Sequence, residues 1–461
     1  MIKKILVVLT GIVIWFVPPV WDISTQAWHL FAVFFSTILA VLINAFPILL
    51  ASLFALASVV LTGTLDVKLA FSGFSESFML LILSAFLVAK AVIKSGLGRR
   101  VAMLLIRRFG KNTLRLAYCI AVTDTLIAPA IPSNTARSGI LFPIVNALAL
   151  DTGSHPTPDS RKTTGSYLMM CGITSLTISS ALWMTAMAGN LITVEIAQQF
   201  GVHMTFGGWF LAASLPCIIG LIILPYALYI YFPPGLKETP EAMQAADSTL
   251  QQMGPMNKKE WITLLVFLGM VTMWGLAGIV NINTAIVGIL GLAMLIATGV
   301  YRLEYLRAEG GDALETYIWF SILYMLSSQL NDLGFMHTIG VQISGLLQDL
   351  HWISAYLLLT ILYVAIHYLF VSQTAQLLAL FAVFLEVAIL AGVPAALMAF
   401  MLAFATNYFS VITPQASTGN VIFIGSGYLL PGEVYRAGGM VTVINLIIFL
   451  LATPWILWVA S

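Results

Sequence analysis

Apolar runs long enough to cross about 30 Å of hydrocarbon recur along the whole length of this 461-residue chain. Polar residues break them in only four places. Such runs belong in a bilayer, and the composition leaves little else open. The chain is 60% hydrophobic and 8% charged, with a mean hydropathy of +0.99, too little charge to cover the surface of a water-soluble domain. A net charge of +1 points to no polyanionic partner, and no nucleic acid is expected. Cys119, Cys171 and Cys217 are scattered in apolar segments without ligand spacing and read as core residues. Met1-Ile-Lys-Lys followed by an apolar run resembles the start of a signal peptide. The run ends in Pro18-Pro19-Val20-Trp21-Asp22, with no small-x-small cleavage step, so it reads as an uncleaved first span.

Residues 5–21, 27–44, 47–63 and 77–94 read as simple spans. Residues 113–150 form a segment broken at 132–135, and 164–200 is over-long and breaks near Ala188-Gly189-Asn190. Residues 207–232 form a span, and 233–260 a polar linker with no expected site. Spans at 261–280, 284–302 and 313–334 follow. A second broken segment, 353–390, is interrupted at 372–374. Residues 395–428 are again over-long and break near 413–420, and the last span is 439–460.

Charge tests this map. With Met1 cytoplasmic, 17 of the 20 Lys and Arg fall on the inside pieces, provided that both broken segments return to the side they entered. They are therefore expected to be re-entrant hairpins. About eleven transmembrane helices then place the N-terminus inside and the C-terminus outside. The basic stretch from Lys94 to Arg115 reads as an interfacial helix on the anionic inner leaflet.

The same map contains an inverted repeat: span, hairpin and over-long helix at 77–94, 113–150 and 164–200 recur at 313–334, 353–390 and 395–428. Ser133-Asn134-Thr135-Ala136 matches Ser372-Gln373-Thr374-Ala375, and Gly189-Asn190 matches Gly419-Asn420. Broken helices survive in a membrane only where they line a protein cavity, and matched breaks in two halves mark a transporter's central site. At each break a half-helix starts, with free N–H groups and the positive end of its dipole. Hydroxyls and amides add neutral donors, so four facing breaks would form a pocket suited to carboxylates. Loose carbonyls and helix C-termini at the same breaks could bind Na⁺. Pro129, Pro132 and Pro414 help open the helices.

On Ser24-Thr25-Gln26-Ala27-Trp28-His29, Ser95-Gly96-Leu97-Gly98-Arg99-Arg100, Ala128-Pro129 through Arg137, His367-Tyr368-Leu369-Phe370 and Gly425-Ser426-Gly427-Tyr428, the chain resembles the divalent anion/sodium symporter family over nearly its full length. It is most similar to the branch of bacterial citrate/succinate-type antiporters and plastid 2-oxoglutarate/malate translocators. The resemblance implies an all-α integral membrane fold, a homodimer in a bacterial inner membrane, and a scaffold domain against which a transport domain moves as an elevator. On that plan, residues 1–112 are N-terminal scaffold helices, 113–206 the first transport half, and 207–260 a scaffold helix with the linker. Residues 261–352 are further scaffold, 353–438 the second transport half, and 439–461 the last helix. The resemblance implies substrate binding at Ser133, Asn134, Thr135, Ser372, Gln373 and Thr374, completed by Gly189, Asn190, Ser417, Thr418, Gly419 and Asn420.

One departure bears on coupling. Sodium-coupled members carry Ser-Asn-Thr at both hairpins, whereas the second copy here has Gln373, one methylene longer. A residual Na⁺ site could remain at Ser133, Asn134 and Gly189. Arg137 and His367 are cation candidates beside the tips. A fixed Arg137 could neutralise a substrate carboxylate, or it pairs with an acid or snorkels to the cytoplasmic face; His367 could join the site or be a structural histidine. Asp124 and Glu386 are proton-site candidates or helix-end residues. The expected function is exchange of small di- or tricarboxylates, with Na⁺-coupled symport as the alternative. The expected partners are substrate, counter-substrate and membrane lipid, with no cofactor. The sequence holds no HExxH, acidic cluster or Ser-His-Asp set of a membrane enzyme, and no ring-forming filter of a channel.

Overall fold

The computed structural model describes residues 1–460; Ser461 lies outside the described residues. The regular secondary structure of the described residues is helical, apart from one isolated bridge between Asn112 and Glu238. Among the described residues, eight helical stretches of 18 residues or more are apolar enough to cross a membrane, and Ile48–Leu61, Thr284–Ala297 and Ala395–Val411 are shorter apolar stretches. The chain forms two compact units. One comprises Met1–Leu83, Leu191–Met204 and Arg307–Leu402; the other comprises Ser84–Asn190, Thr205–Leu306 and Ala403–Ser461.

The repeat is legible helix by helix. Each hairpin has a first arm of 15 residues, Thr113–Ile127 or Trp352–Ile366. A three-residue 3₁₀ turn follows, Ala128–Ala130 or His367–Leu369, and then a second arm of 18 residues, Asn134–Asp151 or Gln373–Leu390. The second arms start at Ser133 and Ser372, whose hydroxyls accept from the backbone N–H of Ala136 and Ala375 at 3.2 and 3.4 Å. Before each hairpin, an apolar helix turns sharply into a shorter one at a glycine with left-handed backbone. Gly96 (φ 80°) separates Ser77–Ser95 from Leu97–Phe109, and Gly334 (φ 77°) separates Gly311–Asp332 from Phe335–Ser344.

In the second unit, Gly165–Leu182 is buried along its whole length. Its free C-terminal carbonyl at Ala181 accepts from the indole N–H of Trp209 at 2.9 Å. In the first unit, Gly73 lies so close to Ser321 that a Cβ would sit 2.1 Å from its carbonyl oxygen, and the Tyr317 hydroxyl donates to Phe74 O at 2.7 Å.

Three sequence readings need correction. The linker 233–260, read only as a polar connection, contains a helix, Pro240–Met253, packed on Leu97–Phe109. Beside it the guanidinium of Arg100 is buried, bonding Glu260 at 2.6 and 3.1 Å and Gly254 O at 2.8 Å. The basic stretch is thus held by protein on one face and is not wholly interfacial. The last apolar segment begins at Pro431, not at residue 439, and divides into Pro431–Leu451 and Thr453–Ala460. Pro431 in the first turn and Glu433, which accepts from Leu430 N at 3.1 Å, form the start signal. Gly438 serves packing, since a Cβ there would meet Val411 O at 1.9 Å.

Candidate functional site

Ten of the fourteen expected site residues lie in the second unit, where the first hairpin tip meets both helix breaks. The backbone sets the frame. Gly165–Leu182 ends before Trp183, a 3₁₀ turn covers Met184–Ala186, and a helix resumes at Ala188, so Gly189 and Asn190 lie in its first turn. Ala188 N donates to Pro132 O at 3.0 Å, tying this break to the hairpin tip. The second break runs from the 3₁₀ turn Phe409–Val411 to Ser417, where Thr418–Ile424 begins.

One asparagine stitches each break. Asn190 Nδ2 donates to the carbonyls of Ser180 and Trp183, ten and seven residues upstream, at 2.9 and 3.3 Å. Asn420 Nδ2 donates to those of Ser410 and Thr413, again ten and seven residues upstream, at 2.7 and 3.2 Å. Carbonyls freed by interrupting a helix in a membrane need donors, and each asparagine supplies two bonds at its break. Asn190 Oδ1 in turn accepts from Asn407 Nδ2 at 2.8 Å.

Beneath the hairpin tip lies a fully buried ion pair. Arg137 Nη1 bonds Asp124 Oδ1 at 3.1 Å across the two arms, and Ser179 Oγ at 2.5 Å. Ser179 also donates to Asp124 Oδ2 at 2.5 Å. Arg137 Nη2 bonds Asn134 Oδ1 at 2.5 Å and the Ser180 hydroxyl. The pair is neutral overall and nearly saturated; only Arg137 Nε lacks a partner among the described residues. Arg137 therefore does not present an uncompensated positive charge. It pairs with an acid and fixes the tip. Ser179, Ser180 and Asn407 escaped the sequence reading, although Ser179-Ser180 is a polar step inside an apolar run.

The open edge of the assembly is neutral. Thr135 and Thr418 are exposed, and their hydroxyls are hydrogen-bonded to each other. Thr135 N–H, in the first turn of Asn134–Asp151, has no acceptor among the described residues. Gly419 packs so tightly on this turn that a Cβ would meet Ser138 Oγ at 2.6 Å and Asn134 O at 3.1 Å. A residual Na⁺ site through Asn134 fits poorly, because Asn134 Oδ1 already accepts from the Arg137 guanidinium and from Ser180 Oγ at 2.8 Å. A second cation on that oxygen would be repelled at contact distance.

The remaining four residues, His367, Ser372, Gln373 and Thr374, belong to the second hairpin, in the first unit. The position of Arg137 is taken here by Gln376, which donates to Tyr363 O at 2.7 Å and bonds His367 Nδ1 through Oε1 at 2.5 Å. The buried imidazole of His367 is thus a strut between turn and second arm. Gln373 is buried. Thr374 is half-buried, and its N–H has no acceptor among the described residues. Glu386 bonds His337 Nδ1 at 2.6 Å and so braces the second arm against Phe335–Ser344.

The sequence signature described as sodium:sulfate symporter transmembrane region matches residues 1–461. The chain belongs to that family. The transporter is 36% identical over 452 residues to the putative malate transporter YflS of Bacillus subtilis, covering 98% of this chain and 94% of that protein. It is 36% identical over 461 residues to the chloroplastic dicarboxylate transporter 2 of Spinacia oleracea, covering 99% and 80%. It is 31% identical over 392 residues to the L-tartrate/succinate antiporter of Shigella flexneri, covering 84% and 80%. In fold, the transporter is similar to the Alcanivorax borkumensis YdaH transporter, with a TM-score of 0.55 at 14% identity over 88% of this chain and 89% of that one. It is a multi-pass integral membrane protein of a transport family, as its sequence predicts.

Proposed function

We propose that this transporter carries small dicarboxylates and works by exchange. One observation carries the chemistry: at both hairpin tips a threonine in the first turn of an 18-residue helix offers an unpaired N–H beside its hydroxyl. These are Thr135 and Thr374. Helix N-termini with free N–H groups receive carboxylates. The names of the relatives from Bacillus, spinach and Shigella favour the same substrate class. Ser133, Asn134, Ser372 and Gln373 shape the tips, while Gly189, Asn190, Ser417, Gly419 and Asn420 hold the breaks open.

Exchange is favoured over Na⁺ symport by the occupied Asn134 oxygen, by Gln373, and by kinship with an antiporter. The neutral Arg137–Asp124 pair gives no reason for an empty carrier to be held back by charge, so exchange rests on these three grounds alone. The reading includes re-entrant hairpins, elevator movement of a transport domain, a homodimer, and a cytoplasmic N-terminus. In the first hairpin, the 15-residue first arm Thr113–Ile127 extends about 22 Å, short of the roughly 30 Å of hydrocarbon, which supports re-entry there.

Counterflow in proteoliposomes tests the function. Vesicles loaded with succinate should accumulate labelled external dicarboxylate without Na⁺. Strong Na⁺-driven uptake into substrate-free vesicles would favour symport.

A further inference from the structure

The second unit contains a charged cavity of about 280 Å³, lined by Lys162, Tyr231, Phe232, Pro233, Glu433 and Arg436, none of them a residue of the proposed site. It lies where Phe206–Tyr231 ends and Pro431–Leu451 begins. The 26 residues of the first of these extend about 39 Å, more than the roughly 30 Å of hydrocarbon, so its end reaches the headgroup layer. Exposed Tyr231 has the character of an interfacial belt residue.

The charges in this cavity do not cancel. Glu433 is already neutralised by Arg161, which grips both carboxylate oxygens at 2.7 and 2.9 Å, and it also accepts from Leu430 N at 3.1 Å. Lys162 reaches that carboxylate only at 3.6 Å, and its ammonium lies 5.8 Å from the centroid of the Phe232 ring. Arg436 is exposed and has no hydrogen-bond or ion-pair partner among the described residues. Two cations beyond the neutralised pair thus face a hollow walled by aromatic rings.

We propose that this cavity binds the phosphate of an anionic phospholipid. The Arg436 fork and the Lys162 ammonium match phosphate oxygens. The rings give the first carbons of the lipid an apolar wall. Inorganic phosphate shares the chemistry, but a site at headgroup depth beside a membrane helix is filled from the bilayer.

Protein purified in uncharged detergent, mixed with phosphatidylglycerol or phosphatidylcholine and weighed by native mass spectrometry, tests this directly, and lipid retention is independent of the transport reading. Wild type should retain phosphatidylglycerol preferentially. Lys162→Gln with Arg436→Gln should lower that retention by about tenfold, while Arg436→Lys keeps most of it. Should the double variant fail to fold, the comparison of Arg436→Gln with Arg436→Lys decides. Equal retention by wild type and the Gln variants overturns the site. Displacement of phosphatidylglycerol by an equal concentration of inorganic phosphate overturns the lipid as occupant.

Discussion

At residue scale, the Arg137–Asp124 pair carries the strongest consequence. Both groups are fully buried, so removing one partner leaves a bare charge in the membrane interior. Asp124→Asn and Arg137→Gln should each destabilise the protein by about 3–5 kcal/mol, read as a lower melting temperature in detergent. The double variant Asp124→Asn/Arg137→Gln should recover much of that loss. Equal additivity of the two losses would mean that the groups do not act as a pair. The threonines answer a different question. Thr135→Ala and Thr374→Ala should each raise KM by about tenfold with unchanged melting, because a deleted hydroxyl costs about 1–3 kcal/mol where its partner stays buried. Unchanged exchange kinetics in both would remove the tips from the site.

At the scale of elements, glycine contacts decide whether the broken helices can close on the hairpin. Gly419→Ala places a methyl 2.6 Å from Ser138 Oγ and 3.1 Å from Asn134 O. The hydroxyl can swing away, but the backbone cannot, so the break must shift off the first turn of Asn134–Asp151. A cost of about 1–3 kcal/mol and a severe loss of exchange are expected. Gly438→Ala should be worse, since Val411 O would lie 1.9 Å from the new carbon. Melting and counterflow on both variants check the order; Gly438→Ala melting like wild type would refute it. Each stitching asparagine belongs to this scale too: Asn190→Ala and Asn420→Ala free two carbonyls apiece and should lower stability to similar extents.

At the scale of the whole molecule, the proposed topology fixes an orientation that can be measured. A chain with eleven crossings and two re-entrant hairpins puts its ends on opposite sides. A reporter fused after Ser461 should therefore be active outside the cytoplasm and silent within it. The reverse result would mean that one hairpin crosses the membrane.

Periodicity, charge and composition were enough to read the membrane class, the four breaks and the repeat, because lipid imposes its rules on every residue of a span. Matching Ser-x-Thr-Ala steps were visible for the same reason: a polar step in a membrane helix stands out against its surroundings. The sequence could not say where Arg137 sends its charge. Asp124 lies on the other hairpin arm, and only folding the arms together at Ser133 brings the two within 3.1 Å. Ser179 and Ser180 were invisible as partners, since serine in a buried helix usually bonds its own backbone. The helix Pro240–Met253 was missed because its stability comes from packing on Leu97–Phe109 and from the buried Arg100–Glu260 pair. Local pattern sets which segments enter the membrane; which buried charges cancel depends on contacts between segments distant in sequence, and that only the tertiary structure decided.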